Sequence, residues 1–253
     1  MKKMKWGALL VCLLAVTMSI QVFSAQSVMP LAGKTILVDS GHGGKDDGAQ
    51  RGEVKEDAIN LAIAMEVRKQ LIEQGANVLM TREDDRDLAE EDSENRKRDD
   101  MKKRVEFIEC GFCDMFVSIH LNAYPDSSVR GAQVFYQPDS MQSERMAQLM
   151  QEELSSCSGQ QRKQKPGDYY ILTRTTVPGI LAECGFLSNA EERSMLQSAD
   201  YQKKIATAIV QGLVRYVKET WLLFTAGNER ARKKHDVRIS LLILHRVVSF
   251  LQL

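Results

Sequence analysis

The chain has 253 residues and a formal net charge of zero, with 34 Lys and Arg against 34 Asp and Glu. That balance argues against broad nucleic-acid binding, and the composition is that of a globular protein, not a disordered one. Once both ends are set aside, about 180 to 190 residues remain, an ordinary size for one domain whose core needs no staples.

In chain order, Lys2, Lys3 and Lys5 precede an apolar run from Trp6 to Ile20, and QVFSAQ follows. A positive start, a short hydrophobic stretch and small residues predict a secretory signal, or an uncleaved membrane anchor, over residues 1–25. Either form puts the rest of the chain outside the cytoplasm. TILVDS, residues 35–40, reads as a buried strand with GHGG at its carboxyl end. Ile59, Ile63, Val67 and Leu71 recur at spacing four and predict a helix over 57–74. A strand over 76–80 follows, then a charged loop that passes into a helix near 96–109, with Met101, Val105 and Ile108 on one face. Further strands are predicted at 115–119, 132–136 and 178–182. A helix is predicted at 143–154, and one or two more between 192 and 219. This alternation predicts an α/β fold, a mostly parallel or mixed sheet flanked by helices on both faces. Ligands in such sheets bind beyond the carboxyl ends of the strands.

The five cysteines are Cys12, Cys110, Cys113, Cys157 and Cys184. Cys110 and Cys113 form a C-x-x-C, but no second such pair completes a four-thiolate zinc site. They read as small residues near a helix end. The tail from residue 221 to 253 carries a basic stretch, Arg230 to Arg238, and an apolar end interrupted by His245 and Arg246. It fits a helix lying beside anionic lipid, a packing extension or a poorly folded end.

Only four histidines are present. His42 lies among glycines after the first strand, and His120 lies between Ser118 and Asn122 at the end of another. Imidazoles at matching ends of neighbouring strands, beside small residues, suit metal ligation. A carboxylate would complete a three-ligand zinc shell and leave a fourth position for water. Asp46, Asp47, Glu53, Glu56 and Asp57 are all candidates, and spacing does not choose Glu56 over Glu53. Glu56 also reads as an ordinary first-turn carboxylate favoured by the helix dipole. Glu183 follows the apolar run VPGILA, where a carboxylate is costly unless it is paired or used. It reads either as a proton-transfer group or as a residue near a helix N-cap. No H-E-x-x-H or G-x-S-x-G is present, and GHGG lacks the lysine and hydroxyl of a phosphate loop.

Taken in order, VDSGHGGKDDGA, KEDAINLAIA, TREDD, VSIHLNA and AECGFLSNAEE resemble the zinc-dependent N-acetylmuramoyl-L-alanine amidases over residues 33–218. RKRDDMKKRVEFI, HLNAYPDSSVRGAQVFY and YQKKIATAIVQGLVRY are most similar to the spore-cortex, germination-specific branch of that family. The resemblance implies one Zn²⁺ held by His42, Glu56 and His120, with Glu183 as the catalytic carboxylate. It implies cleavage of the amide between muramic acid and L-alanine in peptidoglycan, in preparation for muramic-δ-lactam. It further implies action between the two forespore membranes, on glycan strands and stem peptides, with a lipoprotein activator in some members. A peptidase or deacetylase on the same polymer, or a non-catalytic wall-binding or amidase-activating protein, are the alternatives. Two residues depart from the family pattern. Ser40 stands where the first motif has proline, which gives up a fixed φ before the first ligand. Cys184 places a thiol beside the expected metal, open either to oxidation or to competition for zinc.

Overall fold

The computed structural model describes residues 29–250. Eight strands and six helices follow in order: β1 (Thr35–Ser40), β2 (Gln50–Arg51), β3 (Val54–Lys55), α1 (Glu56–Glu73), β4 (Asn77–Met80), α2 (Arg96–Glu109), β5 (Met115–Asn122), β6 (Gln133–Tyr136), α3 (Met141–Ser158), β7 (Lys165–Pro166), α4 (Tyr170–Thr173), β8 (Gly179–Phe186), α5 (Ala190–Leu196) and α6 (Ala199–Phe250). The main sheet has the order β4-β1-β5-β8-β6-β7, and β2 with β3 forms a small hairpin. Pairings from β4 through β8 are parallel, whereas β6 runs antiparallel to β8. The fold is the expected mixed α/β sheet. Residues 1–28, with the expected leader and Cys12, lie outside the described residues.

Strand alternation sorts the side chains of the central strands onto two faces. Leu37, Phe116 and Leu181 point to one face, where they pack with Ile108 of α2 and with Ile171 and Leu172 of α4. Burying such a side chain contributes roughly 1.5–3 kcal/mol. On the same face, one pleat further toward the carboxyl ends, stand Asp39, Ser118 and Glu183. The sheet therefore changes from apolar to polar along its strands. On the other face, α1 packs over β1, β4 and β5, and α3 packs over β6 and β8. The α1 stripe is the predicted one, with Ile59, Ile63, Val67 and Leu71 all buried.

Two strands run further than their sequence pattern predicts. β5 continues to Asn122 and β8 to Phe186, so His120 and Glu183 lie inside strands, not after them. Glu183 is thus not a helix N-cap residue; Asn189 caps α5, accepting from the Glu192 amide. Both strands continue because each reaches past its apolar run to a polar neighbour, and the ladder pairs backbones whatever their side chains. The helical region after 190 divides at Gln197 and Ser198 into α5 and α6. From Arg215 onward the carboxyl part of α6 forms a separate compact unit. Among the described residues, no helix is long and apolar enough to cross a membrane.

Candidate active site

β1 ends at Ser40, while its neighbour β5 runs on to Asn122. Gly41 still donates to the Ile119 carbonyl at 3.0 Å. Leu121, two residues further along, finds no strand on that side. Its amide is taken by Glu56 Oε1 at 3.0 Å, which meets the demand of a buried donor. Glu56 is the first residue of α1. Its Oε2 accepts from the Ala49 amide at 2.8 Å, and its own amide donates to the Ala49 carbonyl at 3.0 Å. The hairpin of β2 and β3 and this reciprocal pair fix the carboxylate at the open end of the sheet.

Around Glu56 Oε1 gather His120 Nδ1 at 3.0 Å, His42 Nε2 at 3.2 Å and Asn60 Nδ2 at 3.2 Å. The two imidazoles meet edge to face, 4.9 Å between centroids. The backbone makes room for this packing. A Cβ on Gly41 would come within 2.2 Å of the His120 ring, and one on Gly48 within 2.6 Å of Glu56 Oε2. His42 itself has φ of 60°, unusual for a residue with a side chain.

Among the five candidate carboxylates, the structure brings Glu56 to both histidines. Asp46 lies on the other edge of His42, 3.0 Å from Nδ1, where it holds the ring in place. Asp47 pairs with Lys55, and Glu53 is exposed in the hairpin. Asp57 is buried, but the structure does not bring it into the cluster.

One nitrogen from each histidine and one oxygen of Glu56 all lie within 4.8 Å of one another. Two imidazoles and a carboxylate are a donor set that suits a divalent ion such as zinc, with a position left open. Burial opposes the charge on His42, yet Glu56 and Asp46 outweigh it and raise its pKa to about 9. Burial likewise opposes charge on Glu56, but the two histidines hold its pKa well below the usual carboxylate range. The carboxylates thus favour charge on His42, and the imidazoles favour charge on Glu56.

Glu183 is the register partner of His120 and lines the same cleft of about 240 Å³ as His42, Glu56 and Tyr169. Its Oε2 is buried with no hydrogen-bond partner. Burial, with Glu56 nearby, raises its pKa to about 7 against the pull of His120 and His42. An unpartnered buried carboxyl oxygen is costly unless something binds there. It is a group ready to exchange a proton near neutral pH.

Beneath the cluster lies a polar layer that the sequence pattern did not reveal. Asp39 Oδ2 accepts from Ser118 Oγ at 2.5 Å, and Asp39 Oδ1 from Thr81 Oγ1 at 2.9 Å and Arg104 Nη1 at 2.7 Å. Arg82 and Arg104 are both fully buried. Ser40, at the proline position of the family motif, donates its amide to Thr81 Oγ1 at 3.2 Å, a bond proline cannot make. Cys184 is not among the grouped ligand atoms. It is buried, its thiol faces the Ala182 carbonyl at 3.6 Å, and burial raises its pKa well above the ordinary value. The expectation of a thiol competing for the metal is therefore corrected.

The fold and the site together define a mixed α/β protein with a candidate metal site of His42, Glu56 and His120 beside the carboxylate of Glu183. The N-acetylmuramoyl-L-alanine amidase family model matches residues 36–215, and the chain belongs to that family. It is similar to the germination-specific N-acetylmuramoyl-L-alanine amidase of Bacillus subtilis (strain 168), 42% identical over 196 residues, covering 76% of this chain and 83% of that protein. Among solved structures, it resembles the CwlD amidase from Clostridioides difficile in complex with the GerS lipoprotein. The TM-score is 0.71 and the identity 40%, covering 74% of this chain and 99% of that one. It also resembles the catalytic domain of CwlV, an N-acetylmuramoyl-L-alanine amidase from Bacillus (Paenibacillus) polymyxa var. colistinus, with TM-score 0.65 and 32% identity over 73% of this chain and 98% of that one.

Proposed function

We propose that the protein is a zinc-dependent amidase that hydrolyses the bond between N-acetylmuramic acid and L-alanine in peptidoglycan. The observation that carries this reading is Glu183 Oε2, buried and unpartnered, in the same cleft as the His42, Glu56 and His120 cluster. His42, Glu56 and His120 would hold Zn²⁺, and residues 33–218 would form the catalytic domain. When bound, the ion would polarise the scissile carbonyl and make an adjacent water more acidic.

Glu183 takes a proton from the attacking water at Oε2. The water oxygen bonds to the lactyl carbonyl carbon, and the carbon–nitrogen bond then breaks. The same carboxyl group returns its proton to the departing L-alanine nitrogen, so that muramic acid keeps a free carboxylate and the peptide a free amine. A carboxyl with a pKa near 7 serves both halves of this exchange. Asp46 holds His42 in the orientation that presents Nε2 to the cluster.

Relationship to the germination-specific amidase supports action on spore cortex, in the preparation for muramic-δ-lactam that the family resemblance implies. The leader expected over residues 1–25 supports export into the space between the forespore membranes, with or without a membrane tether. The complex of the Clostridioides amidase with a lipoprotein supports a lipoprotein partner for this chain, with activation as its proposed role.

Mass spectrometry of muropeptides digested by the zinc-loaded protein tests the reading. Stem peptides beginning with a free L-alanine amine are expected. Released acetate would mean a deacetylase, shortened stem peptides a peptidase, and wall binding without turnover a non-catalytic protein.

A further inference from the structure

His42 lies between the end of β1 and a single Gly43–Asp46 bridge, and it sits in the left-handed region at φ of 60°. Something must hold it there, because such a conformation is disfavoured for a residue with a side chain. The carbonyl groups of Ser40, Gly41 and His42 all turn toward two buried guanidinium groups. Arg82 Nε donates to the Ser40 carbonyl at 3.1 Å, and Arg82 Nη2 to the Gly41 carbonyl at 3.0 Å. Arg104 Nη1 donates to the Ser40 carbonyl and Nη2 to the His42 carbonyl, each at 2.7 Å.

Both arginines are fixed from behind. Arg104 pairs with Asp39 at 2.7 Å and, through Nε, with Asp100 at 2.9 Å. Arg82 donates to the carbonyls of Asp84 at 3.0 Å and Asp57 at 2.8 Å. Asp57 follows Glu56 directly, so Arg82 ties the start of α1 to the His42 loop.

We propose that Arg104, with Arg82, is a positioning residue for the candidate metal centre. Its planar fork holds the His42 backbone in the strained conformation that aims the imidazole at Glu56 and His120. The proposal rests on the reading of His42 as a metal ligand. A planar fork is needed because the acceptors diverge: one amino group serves Asp39 and Ser40, the other reaches His42. A lysine keeps the charge opposite Asp39 but offers no second arm toward the His42 carbonyl.

The test is the equilibrium zinc affinity of the full chain, by competition with a chromophoric chelator, together with thermal unfolding. Arg104→Lys is expected to fold and to bind zinc roughly 10- to 100-fold more weakly, the usual effect of losing a partner that orients a ligand. Lys103→Gln, which removes only the surface pair with Glu90, is expected to keep the parent affinity. A lower melting temperature with unchanged zinc affinity in Arg104→Lys would show an ordinary core arginine and overturn the proposal. If Arg104→Lys does not fold, Arg82→Lys decides by the same measurement: weaker zinc binding supports the proposal, and parent affinity overturns it. A parent protein that binds no zinc removes the proposed function and this inference together.

Discussion

His120 and Glu183 are register partners on the adjacent parallel strands β5 and β8. Their side chains leave the same face of the sheet at the same height, about 5 Å apart along the hydrogen-bonding direction. The candidate metal ligand and the candidate proton-transfer group are therefore held side by side by backbone pairing, not by a loop. Register cannot slip by one residue without turning Leu181 and Phe116 out of the core.

Replacing Glu183 with Gln should separate chemistry from metal binding. Turnover is expected to fall roughly 10²- to 10⁴-fold, as for loss of a general acid–base group, with zinc content unchanged. Steady-state rates beside metal analysis check both; a Gln protein that keeps parent turnover would remove Glu183 from the mechanism.

The same substitution should stabilise the metal-free protein at alkaline pH. Burial raises the folded-state pKa of Glu183 from 4.5 to about 7. Folding thus favours the protonated acid, and the parent loses stability as pH rises from its unfolded value through 7. Glutamine cannot ionise and escapes that loss. At pH 8 the gain should approach about 3 kcal/mol, and at pH 4 it should vanish. Urea melts of chelated protein at the two pH values measure it.

Zinc uptake should release a proton from His42. Its pKa of about 9 in the metal-free protein means that the imidazole is charged at pH 7.5 and must be deprotonated to ligate. Apparent affinity should therefore weaken as pH falls below 9. Calorimetry in buffers of different ionisation enthalpy should find about one proton released. His42→Ala and His120→Ala should each lower zinc occupancy as well as rate.

Gly41→Ala should damage the site more than the fold. The added methyl would meet the His120 ring 2.2 Å away, so the ring must move. Zinc binding should be lost while far-ultraviolet circular dichroism keeps the parent spectrum. Parent zinc affinity in this variant would contradict the packing described.

Asp39 should set the acid limb of stability. Burial opposes its charge, but Arg104, Ser118 and His120 hold its pKa below 3.8. The stability from this depressed pKa is present above 3.8 and is lost as pH falls through the folded value. Asp39→Asn should flatten the acid limb and cost about 3–5 kcal/mol at pH 7, because Arg104 would lose a buried partner. Denaturant melts from pH 2 to 7 would show it.

The main elements were legible because their apolar periodicity matches their packing: β1 runs over 35–40 and α2 over 96–109, as the pattern reads. The motifs marked His42, His120 and Glu183 as candidates. The choice of Glu56 was not legible from spacing, because it depends on the hairpin of β2 and β3 and on the rotation of the first turn of α1. The short β7 and α4 carry too few residues for any period to show. The arginine layer was hidden for a different reason. On α2 the buried stripe is Asp100, Arg104 and Ile108, whereas Met101 and Val105 are only half-buried. An acid and a base four apart on a helix read the same way whether they face solvent or a neighbouring aspartate. Arg82, within the charged run after β4, looked equally solvated. The signal that finds both is the set of loop carbonyls that need donors.

The most direct measurement of the central claim is an anomalous difference map at the zinc edge from crystals of the zinc-replete protein. One peak bounded by His42, Glu56 and His120, with Glu183 facing its open side, is the predicted result. A peak held elsewhere, or histidines too far apart to share the ion, would contradict it.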